Sequence, residues 1–198
     1  MPDRIAAHYE KHAHAFDAAR RAGFVERPWL ERFMLGLPRG GAILDLGCGG
    51  GEPVARHLVD AGFQVTGVDL APTMIHLVKT RFGRHRWLLA DMRRIILDGG
   101  PFDGVVAWDS LFHLDHDDQT AMIARIATWL KPGGKLLFNT GPERGTAIGR
   151  QFDEDLYHAS LAPEDYRALF AANGLAEIAF KPDDPQCGGR SVWLATKS

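Results

Sequence analysis

Cysteine is scarce in this chain of 198 residues: only Cys48 and Cys187 occur. Two cannot build a disulfide framework, and a reducing, cytoplasmic setting is expected. No apolar run approaches the roughly 20 residues of a membrane span, and the polar opening MPDRIAAHYEKH lacks the form of a signal peptide. Charge of one sign is also missing. Lys+Arg number 23 against 25 Asp+Glu, a net charge of −2, which gives no general electrostatic reason to bind nucleic acid or a membrane. The local cluster Arg81, Arg84, His85, Arg86, Arg93 and Arg94 has no interleaved aromatics and reads as a solvated rim. Internal repeats and low-complexity stretches are absent. What remains is an ordinary globular composition, 45% hydrophobic and 24% charged, at the size of one α/β domain. A chain of this length buries roughly 70% of its unfolded surface and needs no metal or disulfide staple.

Periodicity organises the chain. Phe16, Ala19, Trp29, Leu30, Phe33 and Met34 recur at helical spacing with a break at Gly23 and Pro28, predicting helices within the first forty residues. Residues 42–47 (AILDLG) are a short apolar run ending in glycine, which suits a strand buried on both faces. A helix over 52–61, a strand over 64–70, a helix over 72–82 and strands over 87–90 and 102–108 follow. An amphipathic helix over 117–130 then presents Met122, Ile123, Ile126, Ala127 and Leu130 inward, and a strand over 135–139 follows a Lys131-Pro132-Gly133-Gly134 turn. From 141 to 161 the pattern weakens into a long polar loop, a kind that is more often functional than idle. A helix over 163–172 and strand-like runs over 175–180 and 191–196, joined by a hairpin-like 181–190, finish the chain. The expected fold is α/β: a doubly wound Rossmann-like sandwich on a mostly parallel seven-stranded sheet with an antiparallel last strand.

The most informative residues are Asp45-Leu46-Gly47-Cys48-Gly49-Gly50-Gly51, where the first strand hands over to a helix. Open α/β sheets bind ligands in that crevice. A dinucleotide fingerprint requires a third glycine where Glu52 stands, and no Lys-Ser/Thr pair marks a phosphate loop. An acidic residue before the loop repels pyrophosphate and suits a cation. A nucleotide-dependent oxidoreductase is therefore an alternative only. No basic residue lies beside Cys48 to activate it, so its expected part is to pack while its backbone contacts a ligand.

The pattern D-x-G-x-G-x-G resembles the first motif of the class I S-adenosylmethionine-dependent methyltransferases, and further similarities follow in order between residues 42 and about 140. The resemblance implies S-adenosylmethionine as cofactor, S-adenosylhomocysteine as product, and cofactor contacts from Asp45, Gly47, Cys48 and Gly49. Asp69, followed by Leu70, stands where the family hydrogen-bonds the ribose diol. Asp91 stands where a carboxylate meets the adenine amino group, and Met92 where a backbone amide meets the ring. Trp108 and Asp109 end the fourth strand beside the methionine part, and 130–136 resembles the family's turn before strand five. Tyr9 lies on an N-terminal helix that in many relatives covers the cofactor; a plain core tyrosine is the competing reading. The implied organisation is one domain, with 1–40 a helical lid, 42–140 the cofactor-binding core and 141–198 the acceptor-side loop, helix and last hairpin.

A sulfonium already makes its methyl electrophilic, so the protein must align the acceptor, exclude water and sometimes take a proton. Asp109 and His113 are the candidates for that chemistry, four residues apart and aligned if their turn is helical. Simple packing against the next helix is the alternative for His113. Tyr157, His158, Arg150 and Arg190 are the candidates for acceptor binding, an arginine fork being suited to a substrate carboxylate. His113, Asp115, His116, Asp117 and Asp118 look metal-like, but no H-x-x-x-H helical pair is read there and the aspartates suit a helix N-terminus, so no metal is expected. Compactness resembles the small-molecule branch of the family, and Ser110-Leu111 after Asp109 departs from the Pro-Pro-aromatic signature of many amine and base methylators. The expected activity is methylation of a small molecule at oxygen rather than nitrogen, by a monomer or homodimer without nucleic-acid or membrane partners. A non-catalytic S-adenosylmethionine-binding protein is the remaining alternative.

Overall fold

The computed structural model describes residues 4–97 and 100–198, so residues 1–3 of the expected lid lie outside it. Strands β1 (Ala42–Leu46), β2 (Gln64–Asp69), β3 (Arg86–Leu89), β4 (Phe102–Ala107) and β5 (Leu130–Thr140) pair in parallel. Two more strands, β8 (Leu175–Asp184) and β9 (Arg190–Lys197), complete the sheet in the order β3-β2-β1-β4-β5-β9-β8, with β9 antiparallel to both neighbours. Strand order reverses between β1 and β4. The helices connecting the two strands to their neighbours run away on opposite faces, which opens a crevice at their carboxyl ends.

Alternation along the central strands explains why their sequences are mostly apolar. Ile43, Val106, Leu137 and Leu194 point to one face, where helices α2 (Arg27–Met34), α3 (Val54–Asp60) and α4 (Pro72–Arg81) cover them. Leu44, Val105, Phe138 and Trp193 point to the other, under helices α5 (His116–Trp129) and α6 (Pro163–Ala172). A period of two between two covered faces leaves few polar positions along the strand, and Asp45 on β1 and Asp103 on β4 are buried exceptions. Local chemistry sets the helix starts. Asp115 caps α5 by accepting the Asp118 amide at 2.9 Å, with Asp117 and Asp118 in the first turn. Pro163 opens α6, and its Asp165 carboxylate accepts the Ala162 amide at 3.1 Å.

Two expectations change. The lysine–proline–glycine turn lies inside β5, which starts at Leu130 because Leu130 pairs with Phe102 before an irregularity restores the register at Gly104 and Lys135. The long polar loop over 141–161 is instead a hairpin of β6 (Gly145–Gln151) and β7 (Glu154–Ser160), a separate two-stranded sheet. Its two-residue turn, Phe152 and Asp153, has φ of 51° and 62°, the left-handed pair that matches strand twist. Neither residue is glycine or asparagine, and β6 faces solvent along most of its length, so neither turn chemistry nor apolar alternation marks it in the sequence. Helix α1 (Ile5–Arg21) packs on α4 and reaches this hairpin tip.

The β5–β9 seam is closed by Trp193, fully buried, stacked on Phe180 with ring centroids 3.8 Å apart and donating its indole N–H to Thr140 Oγ1 at 3.1 Å. Trp193→Ala is expected to cost about 3–5 kcal/mol of unfolding free energy in urea titrations. A loss below about 1 kcal/mol would mean that the seam is not structural.

Candidate active site

The crevice is built from strand ends. After β1 the backbone turns at Gly47 (φ +78°) and Gly49 (φ +52°), and a Cβ on Gly47 would stand 2.5 Å from the Ser110 Cβ. Only glycine permits both the turn and that approach. The Gly47 and Cys48 amides bond the Val68 carbonyl at 2.8 and 3.1 Å, binding the loop to β2. Asp69, at the end of β2, accepts the Gly49 amide on Oδ2 and the Ala71 amide on Oδ1, each at 2.9 Å. Burial raises its carboxyl above the ordinary value, against the pull of those amides. Asp45 is almost fully buried beneath the loop, and its Oδ2 has no hydrogen-bond partner among the described residues. Burial and then the charge of Asp69 push its carboxyl up to about 7. Neither carboxylate takes a hydrogen bond from a cationic side chain among the described residues, so the loop lies in a field that favours a positive ligand.

The other two strand-end carboxylates are paired. Arg93 holds Asp91 through its amide (2.9 Å) and guanidinium (2.8 Å) and also reaches Asp118 at 2.9 Å. Burial pushes the Asp91 carboxyl up, but the Arg93 hydrogen bonds outweigh it and leave it below its ordinary value. Asp109, in the left-handed region at φ 48°, takes a two-pronged bond from Arg190 at 2.7 and 2.8 Å and a third from Asn139 at 2.8 Å. Here too burial raises the carboxyl and the Arg190 hydrogen bond, followed by its charge, lowers it further than burial raises it.

Helix α1 forms the roof. Tyr9, Ala13, Phe16, Asp17 and Arg20 share one face, and Asp17 is buried where it receives Arg81 at 2.5 and 2.7 Å. Arg81 also bonds the Gly50 carbonyl at 2.8 Å, so one guanidinium ties the roof to the glycine loop. Glu10 adds a second tie, accepting the Thr73 amide and hydroxyl at the start of α4 at 2.9 and 2.7 Å.

His113 ends a short 3-10 turn (Leu111–His113) inside the crevice. Its Nδ1 lies 3.0 Å from the Tyr157 carbonyl, which can only accept, so Nδ1 carries the proton. The Nε2 lone pair therefore accepts the Tyr9 hydroxyl at 2.8 Å. Burial lowers the imidazole to about 4, which keeps it neutral at pH 7. Burial likewise raises the Tyr9 phenol.

Asp45, Gly47, Cys48, Gly49, Asp69, Leu70, Asp91, Met92, Trp108 and Tyr9 all line this one crevice, with Asp109 and His113. The expected alignment of Asp109 with His113 is not made: each has its own partners. The acceptor-side candidates distribute differently. Arg150 is exposed on β6 with its guanidinium 3.1 Å from the Asp153 carbonyl, and it does not reach the crevice. Arg190 is already occupied by Asp109 and offers no open fork. Tyr157 contributes its carbonyl, and the His158 ring packs 5.2 Å from His113 and 4.9 Å from Phe112, behind the crevice wall. Sequence reading missed Asp17 and Arg20; their signal was charge on the apolar face of α1.

A family model described as a methyltransferase domain matches residues 43–134. A ubiquinone biosynthesis O-methyltransferase of Xanthomonas axonopodis pv. citri is 35% identical over 133 residues, covering 64% of this chain and 54% of that protein. Among solved structures, an amino pentose methyltransferase from Micromonospora echinaspora superposes with a TM-score of 0.73 at 22% identity, covering 93% of this chain and 97% of that one. A Burkholderia thailandensis 1,6-didemethyltoxoflavin-N1-methyltransferase gives a TM-score of 0.73 at 22% identity, covering 98% and 87%. Residues 43–134 thus match a methyltransferase domain, and the fold is that of these solved methyltransferases. It spans about half the length of the curated relatives it matches. No described helix is long and apolar enough to cross a membrane.

Arg190→Ala removes the two-pronged partner of a largely buried Asp109 carboxylate and leaves it, of the cations among the described residues, only the longer contact to Arg20, 3.9 Å away. The expected cost is about 2–4 kcal/mol at pH 7, with Asp109→Asn in the same background recovering part of it. The wild-type contribution of Asp109 is present above its unfolded pKa of about 3.9 and is lost as pH falls through its depressed folded value. Urea titrations should therefore show the two proteins converging in stability as pH is lowered. A constant gap would assign the loss to packing.

Proposed function

We propose that the chain binds S-adenosylmethionine in this crevice and transfers its methyl group to the oxygen of an uncharged small molecule. The observation that carries this reading is the glycine loop above Asp45 and beside Asp69, an anionic cradle at the switch point of the sheet with no cationic side chain bonded to either carboxylate. Asp45 and Asp69 suit the positive charge of the cofactor, and each Asp69 oxygen keeps a lone pair for a hydroxyl after bonding its amide. When bound, S-adenosylmethionine supplies an electrophilic methyl, so the chain's own residues have only to orient, desolvate and deprotonate. Helix α1 acts as the lid that excludes water, held by Asp17 and Glu10.

The oxygen reading rests on Tyr9 and His113. The Tyr9 oxygen takes the acceptor's proton as the Tyr9 hydroxyl proton passes to His113 Nε2, an exchange that needs the Nδ1–H tautomer fixed by the Tyr157 carbonyl. A neutral imidazole can receive that proton at pH 7, and burial makes it release the proton readily afterwards. The relatives named as ubiquinone biosynthesis O-methyltransferases support an oxygen acceptor. A carboxylate acceptor fits poorly, because Arg190 is engaged by Asp109 and Arg150 lies outside the crevice.

Asp69→Ala should weaken S-adenosylmethionine binding roughly ten- to hundredfold in calorimetry with the far-UV spectrum intact. Unchanged affinity would remove Asp69 from the cofactor contacts. With a panel of phenolic acceptors, wild-type protein should release S-adenosylhomocysteine. His113→Ala should lower the rate at saturating acceptor by about 10²–10⁴ while cofactor affinity changes little. Full activity in that variant would end the proton-transfer role.

A further inference from the structure

Outside the crevice, three side chains converge where α1 meets the tip of the β6–β7 hairpin. His8 and His12 lie one turn apart on α1, an H-x-x-x-H pair that the sequence reading passed over. Glu154 opens β7 directly after the two-residue turn. Glu154 Oε2 is 3.1 Å from His8 Nδ1 and 3.4 Å from His12 Nε2, and the three potential ligand atoms all lie within 4.8 Å of one another. Ligands about 2.0–2.1 Å from a tetrahedral zinc ion are about 3.3 Å apart, close to the two measured edges.

The hydrogen bonds around these rings do not account for every nitrogen. Neutral His8 has one N–H and two partners: Nε2 is 3.0 Å from the Gln151 side-chain amide and Nδ1 faces Glu154. If Gln151 takes the proton, a lone pair on Nδ1 confronts a carboxylate. His12 Nε2 is buried and has no hydrogen-bond partner among the described residues. Lys11 bonds the other oxygen of Glu154, Oε1, and leaves Oε2 facing the two imidazoles. Gln151 stands where an outer partner would fix the ring of a metal-bound histidine, and Phe152 stacks on His12 at 4.9 Å and holds its ring.

We propose that His8, His12 and Glu154 form a binding site for a divalent first-row transition ion, zinc in class, that fastens α1 to the hairpin. Two imidazoles and one carboxylate suit such an ion, whereas magnesium prefers an octahedral all-oxygen set. Three ligands leave a fourth position for water. The site is separate from the methyl-transfer reading and stands or falls without it.

The test uses tag-free, chelator-treated full-length protein titrated with zinc, magnesium and cobalt(II) salts. The expected result is one zinc ion per chain by calorimetry, no magnesium binding, and visible cobalt absorption bands of a low-coordinate site. Zinc should raise the melting temperature of the wild type and not that of His12→Ala. Glu154→Gln, a near-isosteric change at the hairpin tip, should abolish binding even if His12→Ala folds poorly, and Gln151→Leu should weaken it about 10–100-fold. Absence of zinc binding by the wild type would overturn the proposal, leaving only a polar cluster of two histidines and Glu154. Unchanged binding in Glu154→Gln or His12→Ala would overturn it equally, because the ion would then reside elsewhere.

Discussion

Asp45, Asp69, Asp91 and Asp109 stand at or just beyond the carboxyl ends of four neighbouring parallel strands, and neighbouring strands are only about 4.8 Å apart. So many negative charges at one partly buried edge repel one another and lose hydration, and each is handled by a different device. Asp69 has backbone amides, Asp91 has Arg93, Asp109 has Arg190 and Asn139, and the Oδ2 of Asp45 has no partner. The unequal treatment creates a gradient along the crevice. At β1 and β2 the carboxylates take no hydrogen bond from a cation among the described residues and are raised; at β3 and β4 an arginine bonds each and they are lowered. Positive charge is favoured at one end, and the other end is close to neutral, which is the polarity the proposed pair of ligands requires.

The same constraint determines how the roof is attached. A helix laid over an anionic edge gains from cations that bridge it to the sheet, and Arg81 does so by joining Asp17 of α1 to the Gly50 carbonyl. The link is buried on the Asp17 side and so is weakly screened by salt, unlike the exposed pairs along the outer helix faces. Roof and loop therefore move together: displacing α1 releases a contact to the backbone that shapes the glycine turn.

Legibility in the sequence followed the range of the signal. Buried parallel strands and the glycine loop are local patterns, so β1 to β4 could be read from adjacent positions, and the family resemblance carried by that loop pointed to the strand-end carboxylates, while Asp17 and Arg20 on α1 escaped both. Partnerships across the fold could not. Arg190 looked like an open fork because nothing in the sequence places it beside Asp109, 81 positions away. Arg150 looked similar, yet strand alternation in β6 directs it to solvent. The hairpin itself was hidden by a Phe-Asp turn with no glycine and by a strand without an apolar face. His8 and His12 were visible as a pair but acquire meaning only when a distant glutamate is folded against them.

The proton on His113 Nδ1 is held by a main-chain oxygen, not a side chain. Substitution at position 157 leaves that oxygen in place, so the tautomer is insulated from mutational drift at the residue that fixes it. What it does depend on is strand register. A one-residue shift of β7 against the 3-10 turn would carry a different carbonyl to His113, and Gln119 of α5 holds β7 in place by donating to the Ala159 carbonyl at 2.9 Å. The imidazole's protonation pattern thus rests on how a hairpin strand is seated, not on the side chain at position 157.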